Sequence, residues 1–200
     1  NGLGKVTMYR PLMAKKVVAY LADKDKLKDV HVLDVCAGWG GRMIGAKSVE
    51  GGGGGGSVKV HYTGIDPCAK TYEALRAIRD ELGLTNVTLV NKPAEVALRD
   101  LGPSVTYDIA LTSPPYYNLE LYSDEPTQSV ATKDGYQAWV NEFLNPVIQG
   151  VIRHGVKYSC WSVKNFKTDK KYDLLDDVVR IHGEHGWRLL DGVVFTMANS

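Results

Sequence analysis

The stretch His31-Val-Leu-Asp-Val-Cys-Ala-Gly38-Trp-Gly40-Gly41-Arg42 decides the fold. It reads as a buried β-strand that ends in an acid, turns on closely spaced glycines and runs directly into a helix. Glycines at such a turn let the backbone bend sharply and come close to a ligand. Working outward, apolar and β-branched runs at residues 31–36, 58–65, 86–90, 107–112, 157–163 and 187–197 predict six strands. Between them lie helical patterns at 11–22, 42–49, 69–82, 93–101, 136–152 and 172–185. Pro11 opens the first of these, and Gly83 and Gly186 stop the third and the last. Regular alternation of strand and helix predicts an α/β fold, a three-layer sandwich on a mostly parallel central sheet.

Composition agrees. With 200 residues, 44% apolar and 24% charged, the chain reads as one folded domain over 1–200. A wholly disordered, collagen-like or coiled-coil chain is excluded, and no apolar run reaches the ~18 residues of a membrane span. The first ten residues hold no signal-peptide core. The chain starts at Asn1 without a methionine, which reads as a processed or incomplete form. Cys36, Cys68 and Cys160 are odd in number and form no CxxC pair, so neither a disulfide framework nor a zinc site is expected, and the cytoplasm fits best. A formal net charge of +1 does not by itself point to nucleic acid. Gly51–Gly56 with Ser57 reads as a flexible loop between a helix and a strand, native or engineered, with no function of its own.

Two acids accompany the glycine turn. Asp66, in Gly64-Ile-Asp66 at the end of the second strand, can accept both hydroxyls of a ribose. Asp34 stands too early for a pyrophosphate fingerprint and would repel phosphate. It suits a ligand with a cationic amino-acid end, such as S-adenosylmethionine, better than a dinucleotide. Further on, Thr112-Ser113-Pro114-Pro115-Tyr116-Tyr117 is a strand running into two prolines. Proline stiffens the backbone and lacks an N–H. The segment can therefore hold a hydroxyl and a carbonyl in fixed positions, with an aromatic face behind them.

Taken in this order, the three segments resemble class I S-adenosylmethionine-dependent methyltransferases. More narrowly, they resemble the bacterial and phage DNA methyltransferases that act on exocyclic amino groups, cytosine N4 or adenine N6. The resemblance implies S-adenosylmethionine as cofactor and DNA with a flipped base as partner. It implies a catalytic segment Ser113, Pro114, Pro115 and Tyr116. The Ser113 side chain and the Pro114 carbonyl would accept the amine hydrogens, and Tyr116 would stack on the base. A serine in the first position leans towards cytosine. Tyr9, Asp34, Ala37, Gly38, Gly40, Asp66, Pro67 and Pro93 are implied in cofactor binding, with Cys68 and Ala94 beside the adenine. Tyr117 is either a second wall of the base site or a core residue, and Trp39 either caps the site or packs beneath it. Lys164 and Lys167, with Lys170 and Lys171, either meet phosphates or are a solvated loop. His182 and His185 read as a surface-helix pair without enough ligands for a metal.

The family's sheet has seven strands, and this chain stops before the seventh. A target-recognition domain is not evident. Only residues 118–134 offer a loop of functional length, so sequence specificity is expected either to be low or to come from missing residues or a partner. Two other readings stand beside this one: an amino methyltransferase of RNA or of protein glutamine, and a non-catalytic subunit that keeps the fold to support a partner.

Overall fold

The computed structural model describes residues 8–50, 58–102, 104–117, 129, 134–168 and 170–190. The glycine run 51–57, the loop over 118–128 and 130–133, and residues 191–200 lie outside the described residues.

Among the described residues, five parallel strands form the sheet, in the order β3-β2-β1-β4-β5. They are β1 (Asp29–Asp34), β2 (Lys59–Ile65), β3 (Val87–Val90), β4 (Ile109–Thr112) and β5 (Tyr158–Trp161). Every residue of β4 is buried, and β1 and β2 are buried from their fourth residue onward. That is the pattern of central strands covered on both faces. Register places Val32 of β1 opposite Tyr62 of β2 on one side and Ile109 of β4 on the other.

Because side chains alternate along a strand, the sheet faces two separate cores. On one face Val32, Val60 and Ile109 pack with α1 (Pro11–Lys24), α2 (Gly41–Lys47) and α3 (Ala69–Glu81), through Val18, Met43 and Leu75. On the other, Leu33, Ile65 and Ala110 meet α4 (Ala94–Asp100), the long helix between β4 and β5, and α7 (Leu174–Glu184), through Leu98, Leu144, Ile148 and Ile181. α1 and α2 approach too closely for side chains: a Cβ on Gly45 would lie 2.1 Å from the Pro11 carbonyl oxygen, and one on Gly41 would lie 1.9 Å from that of Tyr9.

Three sequence expectations need correction. The helix expected over 136–152 is interrupted: α5 (Tyr136–Trp139) passes through a π turn, Val140–Leu144, into α6 (Asn145–Arg153). Pro146 at the start of α6 has no N–H to give the preceding turn, which opens the hydrogen-bond ladder there. The lysine-bearing stretch after β5 is not a plain loop. It folds into a small antiparallel pair, β6 (Phe166–Lys167) and β7 (Lys171–Tyr172), fastened by the stacked rings of Phe166 and Tyr172 at 4.9 Å. Residues 187–190 are not strand, and the rest of the expected sixth strand lies outside the described residues.

In this strand order the chain reverses direction of travel between β1 and β4. The C-terminal ends of those strands flank a crevice, the usual ligand position of open α/β sheets. Asp34 and Thr112, which end β1 and β4, carry the glycine turn and the Ser-Pro-Pro segment to its two sides.

Candidate active site

An open cleft lies at that crevice, a concave position of the kind that takes small ligands. The loop after β1 supplies Cys36, Ala37, Gly38, Trp39 and Gly41. The end of β2 supplies Asp66, Pro67 and Cys68, and the start of α4 supplies Pro93, Ala94 and Glu95. Tyr9, Arg42, Ser113 and Pro115 also line the cleft, with Val35, Ser129 and Phe143. Segments far apart in sequence thus converge because the ends of four strands, β3, β2, β1 and β4, lie side by side.

The glycine turn takes its shape from Gly38 and Gly40, whose φ angles of 53° and 83° are strained for residues with a side chain. Between them Trp39 lines the cleft and stays 44% exposed, so it caps the site rather than packing beneath it. Asp66 locks the turn. Its Oδ2 accepts the Gly38 amide at 2.9 Å and its Oδ1 the Cys68 amide at 3.0 Å. Burial raises its carboxyl to about 6, and the two amides pull in the opposite direction.

Glu95, in the first turn of α4, was not singled out from sequence. Its Oε2 is buried and has no hydrogen-bond partner among the described residues, while the residue lines the cleft. An unpaired buried carboxylate oxygen is costly and fits a ligand that brings an N–H or O–H donor. The position just past Pro93 was the available signal, since helix starts at strand C-termini are ligand positions in such folds.

Arg42 was missed as well. It joins the two motif segments: Nε donates to Asp34 Oδ2 at 2.7 Å, Nη1 to Ser113 Oγ at 2.6 Å and Nη2 to the Cys36 carbonyl. Asp34 is therefore not in the cleft wall. It is wholly buried, meets Arg42 and also accepts Tyr62 Oη at 2.7 Å and Thr112 Oγ1 at 3.0 Å. Its charge is answered inside the protein, so the inference from Asp34 to a cationic ligand does not hold. Burial, then Asp34, push the Tyr62 hydroxyl and the Cys36 thiol well above their ordinary values, and both stay protonated.

The other expected site residues divide. Tyr9, Ala37, Gly38, Asp66, Pro67, Pro93, Ser113 and Pro115 line the cleft, whereas Gly40, Pro114, Tyr116 and Tyr117 do not. Gly40 faces Leu75 and Ile78 of α3. Pro114 is buried behind Ser113. Tyr116 packs edge-on against Phe166 at 5.5 Å. Tyr117 is a core residue, its ring among Tyr136, Trp139 and Tyr172. Lys164 and Lys167 are exposed and stand outside the wall. Lys171 pairs with Asp173 at 2.6 Å, and Lys170 sits 5.6 Å from the Tyr172 ring.

His182 is not a surface residue. Its Nδ1 lies 2.7 Å from the Val178 carbonyl and its Nε2 2.9 Å from Ser159 Oγ, and burial lowers its pKa. Among the described residues one group has metal-ligand proximity: Asp29, His31 and His61, within 4.8 Å of one another near the N-terminal ends of β1 and β2, at the opposite end of the sheet from the cleft. No described helix is long and apolar enough to cross a membrane.

Comparison with known proteins agrees with this geometry at the level of fold. No family model matches the chain, and no curated protein sequence matches it. Solved structures do. Precorrin-6y C5,15-methyltransferase from Geobacter metallireducens is similar with a TM-score of 0.53 and 19% identity, over 86% of this chain and 70% of that one. Magnesium protoporphyrin IX methyltransferase from Synechocystis, crystallised with bound S-adenosylmethionine, aligns with a TM-score of 0.51 and 15% identity, over 88% and 68%. A class I S-adenosylmethionine-dependent methyltransferase from Listeria monocytogenes gives 0.49 and 20%; the match covers 75% of this chain and 45% of that protein, so the chain spans less than half its length. The architecture is thus the Rossmann-like fold shared with these S-adenosylmethionine-dependent methyltransferases. At these identities the likeness defines the fold and leaves the reaction to the site.

Proposed function

We propose that the chain is an S-adenosylmethionine-dependent methyltransferase acting on the exocyclic amino group of a nucleobase, with cytosine N4 of DNA preferred over adenine N6. One observation carries this: Ser113 and Pro115 share a single cleft with the Ala37-Gly38 turn and Asp66. A group suited to hold an amine thus faces a site suited to a nucleoside.

The residues present fit the cofactor. Asp66 offers ribose hydroxyls a carboxylate already fixed by two amides. Glu95 offers its unpartnered oxygen to an amino group, as on adenine. Tyr9, Gly38 and Trp39 would border the remainder. When bound, S-adenosylmethionine supplies a methyl group made electrophilic by its sulfonium.

The amine of a cytosine or adenine is a poor nucleophile because its lone pair is conjugated with the ring. Ser113 Oγ, fixed at the wall, would accept one amine hydrogen and draw the nitrogen towards sp³ geometry. The nitrogen so held would take the methyl group that S-adenosylmethionine supplies, the thioether being the leaving group, and the methylated amine would release one proton to water. Acceleration comes from positioning and fixed dipoles. None of the cysteines is needed as a nucleophile. The base enters by flipping or from a single strand, and Trp39 at the mouth offers the exposed aromatic face that Tyr116 was expected to provide. A pure scaffold has no use for an unpaired Glu95 beside a locked Asp66.

The test is methyl transfer from labelled S-adenosylmethionine to unmethylated DNA, with products digested to nucleosides and identified by mass. N4-methylcytosine is the expected product. N6-methyladenine keeps the reaction and overturns the base preference. Cofactor binding without transfer to DNA moves the search to RNA and protein amides, and no cofactor binding overturns the proposal.

A further inference from the structure

Arg42 begins in the first turn of α2 and is only 3% exposed. Three edges of its guanidinium are occupied, by the Asp34 carboxylate, the Ser113 hydroxyl and the Cys36 carbonyl. The Tyr9 ring lies 5.1 Å from its central carbon. Asp34 is itself held by Tyr62, Thr112 and the Cys36 amide at 3.3 Å. The guanidinium is a planar, rigid fork that donates in several fixed directions at once, which a lysine ammonium cannot copy. Its position therefore fixes Ser113 Oγ relative to the turn after β1. Its charge is balanced by Asp34, so the hydroxyl sits beside an ion pair and not beside a lone cation.

We propose that Arg42 is a positioning residue that holds the Ser113 hydroxyl at the cleft wall with one lone pair already used, so that it meets its substrate as one acceptor and one donor. This rests on the methyl-transfer function proposed above and gives a geometric reason for its preference for a nucleobase amine. A hydroxyl so constrained matches an amine next to a lone-pair nitrogen, the H₂N–C=N edge of an aminated heterocycle. The oxygen takes one amine hydrogen, and the serine hydrogen goes to the ring nitrogen. An alkylammonium such as a lysine side chain has no lone pair on nitrogen and no adjacent acceptor, and does not fit.

Arg42→Lys keeps a cation near Asp34 and removes the fork to Ser113. Removing the charge altogether would leave Asp34 buried and uncompensated, which strongly destabilises the fold. Three variants, R42K, S113A and the double variant, are measured for S-adenosylmethionine Kd by calorimetry, for kcat and KM on a single-stranded cytosine-containing oligonucleotide, and for melting temperature. Misplacing a catalytic group by about 1 Å costs on the order of 100-fold. R42K should accordingly lower kcat about 10- to 100-fold, with KM and cofactor Kd within about 3-fold of wild type. In the S113A background R42K should cost less than about 2-fold, because nothing remains to be positioned.

Equal losses in both backgrounds, or an unchanged kcat in R42K, overturn the proposal. A lysine peptide methylated as efficiently as the oligonucleotide overturns the substrate class. Should wild-type protein methylate nothing, the reaction itself falls, and the pair is judged by melting alone. Non-additive shifts then keep Arg42 as the group that fixes Ser113, and additive shifts remove it from that role.

Discussion

Asp66 Oδ2 accepts the Gly38 amide at 2.9 Å, so the end of β2 holds the turn that follows β1. The carboxylate that fixes the turn is also the one offered to the ligand. With its carboxyl at about 6, Asp66 is half-protonated in mildly acidic solution. A protonated carboxyl is a poorer acceptor for ribose hydroxyls. S-adenosylmethionine affinity should fall as pH drops through about 6, and Asp66→Asn should bind weakly with a flat profile. Calorimetry between pH 5 and 8 checks this. The sign for stability is opposite. A carboxyl raised above its ordinary value of ~3.9 contributes most to the ligand-free protein below that value, and the contribution is lost as pH rises to about 6. The Asn variant should therefore melt at or above wild type at pH 8.

Ser113→Ala removes the acceptor proposed for the amine and leaves the cofactor wall in place. Loss of one preorganised polar group costs about a hundred- to a thousand-fold in turnover. Methyl transfer should drop by that order while S-adenosylmethionine Kd stays within a few-fold, measured on the same preparation.

Glu95→Gln retains size and replaces the charged acceptor with an amide. A hydrogen bond to a charged group contributes ~1.5–3 kcal/mol, so affinity for S-adenosylmethionine should fall about tenfold or more. An analogue whose adenine lacks its amino group should bind wild type and variant alike. Competition calorimetry separates these outcomes.

Gly45→Ala tests the seat of Tyr9. A Cβ at Gly45 would lie 2.1 Å from the Pro11 carbonyl oxygen and 2.7 Å from Ala14 Cβ, so α1 must move. Overpacking of this kind costs ~1–3 kcal/mol, a melting shift of ~2–4 °C per kcal/mol for a chain of this size. Since Tyr9 lines the cleft just ahead of α1, cofactor affinity should weaken in parallel. A variant as stable and as tightly binding as wild type would show that α1 adjusts freely.

The order of strands and helices was legible in the amino-acid sequence because it rests on local properties. Val32, Leu33 and Val35 and residues 109–112 are apolar enough to be buried, Gly38 and Gly40 permit the left-handed turn, and Gly83 and Gly186 end their helices. The positions of Asp66, Ser113 and Pro115 could be read for the same reason: each follows directly from a strand end. Other features depended on residues distant in sequence. Asp34 is directed inward only because Arg42, Tyr62 and Thr112 converge on it, the last of these 78 positions away. Tyr117 packs against the core because Tyr136 and Tyr172 reach it from other elements, and one oxygen of Glu95 is buried only by the wall assembled around it. Periodicity and turn chemistry act over a few residues and determine which elements form. Burial, and the partner that answers a buried charge, exist only once those elements are packed, and these decided which of the polar residues face the cleft.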